Sequence, residues 1–390
     1  MNTQEQLQYR RKLIDDAVRQ RKVERVPHLS GFFAWPVLDY GLPLSVGLGN
    51  WDLYEQAQRH FLDTYQFDAQ GLGITAMLDS NPHKMIEHIG TGFTVFNDAE
   101  GVFSQKDVEL LHPDEYDELI ADPLALSWNK LLPRKYERWA NGEVTVADFK
   151  TALDEYKRWT DYSERIVKVA IEEYGLPSSS AFAVPSPGIE MLYNWYRGFR
   201  GTSLDLRKMP DKVFEVAKSF EIDDAAINDL FAQPPAGNTH AFDATGFILA
   251  HNFLSLSQWD KYEWPFLKKI LDAVVKADAT IYLFAEGVIS RFYDYFKDFP
   301  PGHIAIHIEQ DDVFDFRKNL PNIAVIGGMP TSLLGGGTPK QCVDYAKHLC
   351  DELGPDGGFI LSQNKMMTYK SDTKPENIKA VCDFVAEYTF

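Results

Sequence analysis

The sequence predicts an α/β protein, a (β/α)8 barrel of the TIM type. Three observations predict it. From residue 178 onward six short apolar runs (179–184, 246–250, 280–285, 303–308, 323–329 and 357–362) alternate with amphipathic stretches of helical period. Two strand-like stretches, HLSGFFAW (28–35) and GLGITAM (71–77), precede the six and bring the count to eight. Most runs end in Gly, Pro or a polar side chain, as strand ends at the catalytic mouth of a barrel do. A doubly wound open sheet is the competing topology, but no GxGxxG follows the first strand.

In chain order, residues 1–25 read as a polar N-terminal helix, and Val26-Pro27 opens the first extended stretch. Asn50 is placed to cap a helix over 53–65. The second strand leads into a loop carrying Asp79, Asn81 and His83. FTVFNDAEGVFS (93–104) breaks its alternation at Asp98-Ala99-Glu100-Gly101, which signals a hairpin. Residues 105–174 form a mostly helical insertion. The strand–helix rhythm then pairs each run with a helix: 189–199, 258–275, 289–296, 312–320, 341–353 and 376–388. Such units imply parallel strands joined by right-handed crossovers. No linker or low-complexity segment divides the chain, so residues 1–390 are expected to form one barrel domain.

Composition narrows the function. With 45% hydrophobic and 25% charged residues the chain can bury a large core. A net charge of −18 without a basic face argues against nucleic-acid phosphates. No apolar run approaches the length of a membrane span. Cys342, Cys350 and Cys382 are odd in number and form no CxxC pair, so a cytoplasmic setting is the expectation.

The most informative stretch is 279–309, which holds two runs ending in metal-capable or acid/base side chains. Strand alternation puts Tyr282, Phe284 and Glu286 on one face, with Ile281, Leu283 and Ala285 behind. It likewise groups His303, Ala305, His307 and Glu309 against Ile304, Ile306 and Ile308. Glu286 and His307, separated by 20 residues, are the candidate catalytic pair. Other strand ends offer Pro185–Gly188, His251 with Asn252, Gly327–Met329, and Gln363 with Asn364. Tyr193, Trp195 and Tyr196 follow the PSPG turn and are candidates for an aromatic pocket. His303 lies deeper and reads as a hydrogen-bonding residue at the far end of its strand. The GGG at 335–337 reads as a turn before a helix starting at Thr338-Pro339, since no GxxxxGK follows.

The C-terminal third, through IGGMPTSLLGGGTPKQCVDYAKHL, GGFILSQNK and KPENIKAVCDFV, resembles the uroporphyrinogen decarboxylase superfamily. Weaker similarity runs back through SLSQWDKYEWPFLKKI, and LLHPDEYDELIADP is similar to corrinoid-linked members. The resemblance implies a (β/α)8 barrel. The arginine-rich RQAGR-like motif of the decarboxylases proper is missing around HLSGFFAW, which disfavours that reaction. The thiolate zinc pattern of the coenzyme M methyltransferases is also missing: Phe284 and Glu286 stand at its first two positions, and its third falls near Asn364. The substrate methyltransferases of anaerobic O-demethylases carry a pattern Glu-x14-Glu-x20-His. Glu286-x20-His307 fits its second half, while position 271 is Leu271.

This resemblance implies a methyltransferase moving a methyl group from an O-methylated, aromatic donor to the cobalamin of a partner corrinoid protein. Zinc would act as Lewis acid on the ether oxygen, held by Glu286 and His307 with Glu309 or Glu263 as further ligands. A metal-free route has protonated Glu286 donate to the departing oxygen, with His307 sharing the proton. His251, Asn252, Asn364, Tyr193 and Trp195 would contact substrate. The expected partners are the corrinoid protein and a small-molecule methyl donor, with homodimerisation a further expectation. The competing readings are a corrinoid-independent decarboxylase or lyase, and a non-catalytic barrel binding a corrinoid or tetrapyrrole.

Overall fold

A computed structural model describes residues 1–71, 90, 94–105, 109–232 and 238–390. Its centre is a six-stranded parallel sheet in sequential order: β3 (Ser178–Ala183), β4 (His240–Ile248), β5 (Ile281–Ala285), β6 (Ile304–Ile308), β7 (Ala324–Met329) and β8 (Phe359–Gln363). Ahead of it the hairpin β1 (Thr94–Asn97) and β2 (Val102–Gln105) pairs antiparallel, as the Asp-Ala-Glu-Gly break predicts. Five of the six strands of the sheet coincide with the apolar runs to within three residues. β4 begins six residues earlier than expected, because Asp243 interrupts the apolar pattern. Its carboxylate is satisfied by accepting from the backbone N (2.7 Å) and hydroxyl (3.0 Å) of Thr280.

The outer sheet face is apolar for the reason alternation gives. Ile281, Leu283, Ile304, Ile306 and Ile308 pack in one buried cluster with Phe266, Ile270, Leu271 and Val274 of the helix Trp264–Lys276. Full burial of each such side chain stabilises by about 2–3 kcal/mol. Leu271 is therefore a core residue. The inner face gathers Phe242, Tyr282, Ala305, Ala324, Ile326 and Ile360 with Leu13, Ile14, Ala17 and Val18 of the N-terminal helix Thr3–Val18.

Both sheet edges meet the N-terminal region. The backbone N–H groups of Leu29 and Leu361 donate to the carbonyls of Leu361 (2.8 Å) and Pro27 (2.9 Å), beside β8. Ser30 donates to Ala69 (3.1 Å), and Gln70 donates to Pro177 (2.9 Å), just ahead of β3. A mixed α/β architecture with this parallel sheet is consistent with a TIM-like fold. Of the expected strand 71–77, all but Gly71 lies outside the described residues, as do Asp79, Asn81 and His83.

Helices carry the caps their sequences advertise. Asn50 accepts from Asp52 and Leu53 at the start of the helix Trp51–Thr64, and Thr338 with Gln341 closes a capping box at Pro339–Leu353. The 113–174 region is helical and ends in the long helix Val146–Tyr174. Between β3 and β4, three helices beyond residue 199 were not anticipated: Gly198–Lys208, Pro210–Phe220 and Asp224–Leu230. Pro210 at a first helical position and Asp223 as N-cap are the signals that mark two of them. Among the described residues no helix is long and apolar enough to cross a membrane.

Candidate active site at the strand ends

The C-terminal ends of β5 and β6 bring Glu286 and Glu309 together. Parallel register pairs Phe284 with His307, so the residues two further along each strand project on the same side. Gly287 follows Glu286 with φ +76°, a conformation a Cβ would disfavour and where it would meet Asn252 Oδ1 at 2.3 Å. That turn lets the Gly287 N–H donate to Glu309 Oε2 at 2.6 Å. Glu286 reaches solvent, while Glu309 is half-buried. Partial loss of hydration, and then the negative charge of Glu309, hold the Glu286 carboxyl above the ordinary carboxylate range. The pair therefore offers one carboxyl biased toward its protonated form beside one anchored carboxylate.

His307 lies beneath them, fully buried. Its Nε2 is 2.7 Å from the Gln363 carbonyl and its Nδ1 is 2.6 Å from the Tyr282 hydroxyl. A carbonyl only accepts, so Nε2 carries the hydrogen; Nδ1 then accepts from Tyr282. Burial lowers the His307 pKa to about 4, so the ring is neutral. Glu286 and His307 thus share a face, but His307 spends both nitrogens on β5 and β8.

The other candidates take structural partners. Asn364 donates to the Glu309 carbonyl (3.1 Å) and accepts from Thr331 N (2.9 Å), tying three strand ends together. Asn252 donates to the carbonyls of Glu286 (2.9 Å) and Leu249 (3.2 Å). His251 is buried against Phe292. Tyr193 packs on Phe199 and Phe253, Tyr196 on Phe220, and Trp195 is 62% exposed. His303 donates to the Ala279 carbonyl (3.0 Å) at the start of its strand, the role its depth suggests. Glu263 is fully buried in a π-turn, Trp259–Glu263, against Glu190. It is not part of the Glu286–Glu309 group. Asp311 escaped sequence reasoning. It accepts from Ile289 N (2.7 Å) and Ser290 N (3.1 Å), capping the 3-10 turn Ser290–Phe296 where an α-helix was expected.

A catalytic zinc needs three protein donors turned to one point. Neither His307 nitrogen has a lone pair to spare, Glu263 lies elsewhere, and among the described residues no three His, Cys, Asp or Glu side chains group to hold a metal. The described residues do not fit the zinc site that the resemblance implies. Accordingly, His307→Ala is expected to leave the zinc content of the purified protein unchanged. It should lower stability by about 3 kcal/mol, through a cavity and two abandoned buried polar partners. Metal analysis and urea denaturation of the variant check both. Loss of one bound zinc per chain would contradict this arrangement.

The sheet, its helical cover and acid groups at the strand ends define an α/β protein with an enzyme-like mouth. The uroporphyrinogen decarboxylase (URO-D) family model matches residues 223–388. One of its motifs has a clear structural task. Asn377, in the closing helix Pro375–Glu387, donates to the carbonyls of Leu334 (2.7 Å) and Gly337 (3.0 Å) and ties that helix to the GGG turn. Among solved structures, a methyltransferase from Methanosarcina mazei matches with a TM-score of 0.57 at 13% identity, over 97% of each chain. At that identity the likeness is one of fold. No curated protein matches the chain.

Proposed function

We propose that this protein is a methyltransferase that moves a methyl group from an O-methylated, aromatic donor to the cobalamin of a partner corrinoid protein. The six-stranded sheet, whose two edges meet residues 27–30 and 68–70, would close as a barrel around the site. The observation that carries the chemistry is the Glu286–Glu309 pair at the strand ends. An aryl ether leaves poorly because charge builds on its oxygen as the O–CH3 bond breaks. Glu286, whose proton its surroundings hold more tightly than an ordinary carboxyl holds one, would deliver a proton to that oxygen. Partial burial, and then the charge of Glu309, which the Gly287 N–H fixes, raise the Glu286 pKa. Neutral His307 and Tyr282 hold β5, β6 and β8 in register beneath the pair. The reduced corrinoid, when docked, supplies the nucleophile that takes the methyl group.

The fold shared with a solved methyltransferase supports this reading, and the URO-D match supports a carboxylic-acid substrate as the second one. The test is the full chain mixed with a reduced corrinoid protein and a panel of methoxyaromatics, read by the cobalt absorbance. Conversion to the methylated spectrum with release of the phenol is the expected result. Carbon dioxide release from an organic acid, with no change at cobalt, would replace the leading reading by the second.

A further inference from the structure

Behind the β4 strand end lies a second pair of acids that the proposed chemistry does not use. Glu190, in the short helix Gly188–Met191 that follows the PSPG turn, is 2% exposed. Its Oε1 accepts from the backbone N–H groups of Leu249 and Ala250, both at 2.7 Å. Its Oε2 accepts from Asn194 Nδ2 at 3.1 Å. Glu263 is 0% exposed and lies against Glu190 from the π-turn of the next helix. Among the described residues no donor gives a hydrogen bond to either of its oxygens. Two ionised carboxylates can only accept, so a direct hydrogen bond between them requires a proton on one.

Surrounding charges do not relieve the pair. Lys218 pairs with Glu221, Lys261 with Asp211, Lys212 with Glu215, and Arg197 with Asp205. Among the described residues none of these cations bonds Glu190 or Glu263. The Glu221 charge bears on Glu263 unfavourably, and His251, on the turn between them and β5, is neutral. Full burial, and then the charge of Glu190, push Glu263 far above the ordinary carboxyl range.

We propose that Glu263 and Glu190 share one proton, and that this proton-linked pair is a clamp on the turn after β4. Glu263 O–H donates to Glu190, which in turn pins the Leu249 and Ala250 amides. The same turn carries Asn252, whose Nδ2 donates to the Glu286 carbonyl. Loss of the shared proton would set two buried anions against each other and loosen the turn beside the candidate site. Glu263 ends the π-helical segment Trp259–Glu263, and Glu190 lies two residues ahead of another, Leu192–Arg197; such distortions recur at functional positions.

The test does not depend on methyl transfer. Infrared spectra of the full chain at neutral pH should show the carbonyl band of a buried protonated carboxyl, and Glu263→Gln should remove it. Amide exchange at Leu249 and Ala250, corrected for intrinsic rates, should lose protection as pH rises from about 6 to 9. The loss should be about tenfold for each pK unit by which the closed turn holds the proton more tightly than the open one. In Glu263→Gln the amide donates permanently, so protection should stay flat with pH. Absence of the carbonyl band, or the same pH slope in wild type and Glu263→Gln, would overturn the clamp.

Discussion

Glu286→Gln is expected to lower methyl transfer by about 10²- to 10⁴-fold, the range a positioned general acid contributes, with little change in donor binding. Glutamine keeps the shape and a hydrogen-bond donor at the β5 end but has no proton to give up. The loss should depend on the leaving group. An activated donor, whose phenol is strongly acidic, needs no proton and should recover most of the rate in the variant. The wild-type rate should fall as pH rises through the Glu286 pKa. That pKa lies above the ordinary carboxyl value, so the acid limb is displaced toward neutrality. Removing the neighbouring charge with Glu309→Gln should move the limb back to lower pH. A rate unchanged in Glu286→Gln with an unactivated ether would remove Glu286 from the chemistry.

The second large effect is on stability in acid. His28, His251 and His307 are each buried, and burial is the main cause that lowers each pKa from 6.5 to about 4. In the unfolded chain each imidazole takes up a proton near 6.5; in the folded chain it stays neutral until about 4. The stability these groups contribute is therefore complete above pH 6.5 and is lost as pH falls toward 4. One proton bound only by the unfolded chain costs about 1.4 kcal/mol per pH unit. Three such histidines cost about 4 kcal/mol per unit in the middle of that window, against a typical total of about 5–15 kcal/mol. Urea midpoints measured between pH 7 and pH 5 should fall steeply, and the slope should correspond to uptake of close to three protons. A flat profile across that range would mean that these rings are not sealed from water.

Much of the architecture was legible because strand alternation and helix caps are local. The three isoleucines of 304–308 point to the helices and His307 points inward for no reason beyond the geometry of extended chain. Asn50 and Thr338 cap because their side chains reach the amides two or three residues on. The likeness to the URO-D family, read from the last third, was legible for the same reason: the contact of Asn377 with the Leu334 and Gly337 carbonyls needs a side-chain donor at that position.

The site was legible only as a list of strand ends. Sequence alone put Glu286, His307 and Glu309 on one side of two adjacent strands. Tertiary structure alone decided which of them has a free valence. Gln363 and Tyr282 consume both nitrogens of His307, Asn364 is spent tying strand ends, and Gly287 turns its amide onto Glu309. Glu263 shows the same limit: its helix was predicted, but its burial against Glu190 depends on how two helices some 70 residues apart pack. Hydrogen-bond partners and desolvation are properties of what lies across space. They turn a row of acids and histidines into one carboxyl held above its ordinary range, one carboxylate that accepts from a backbone amide, and a neutral ring bonded to two neighbouring strands.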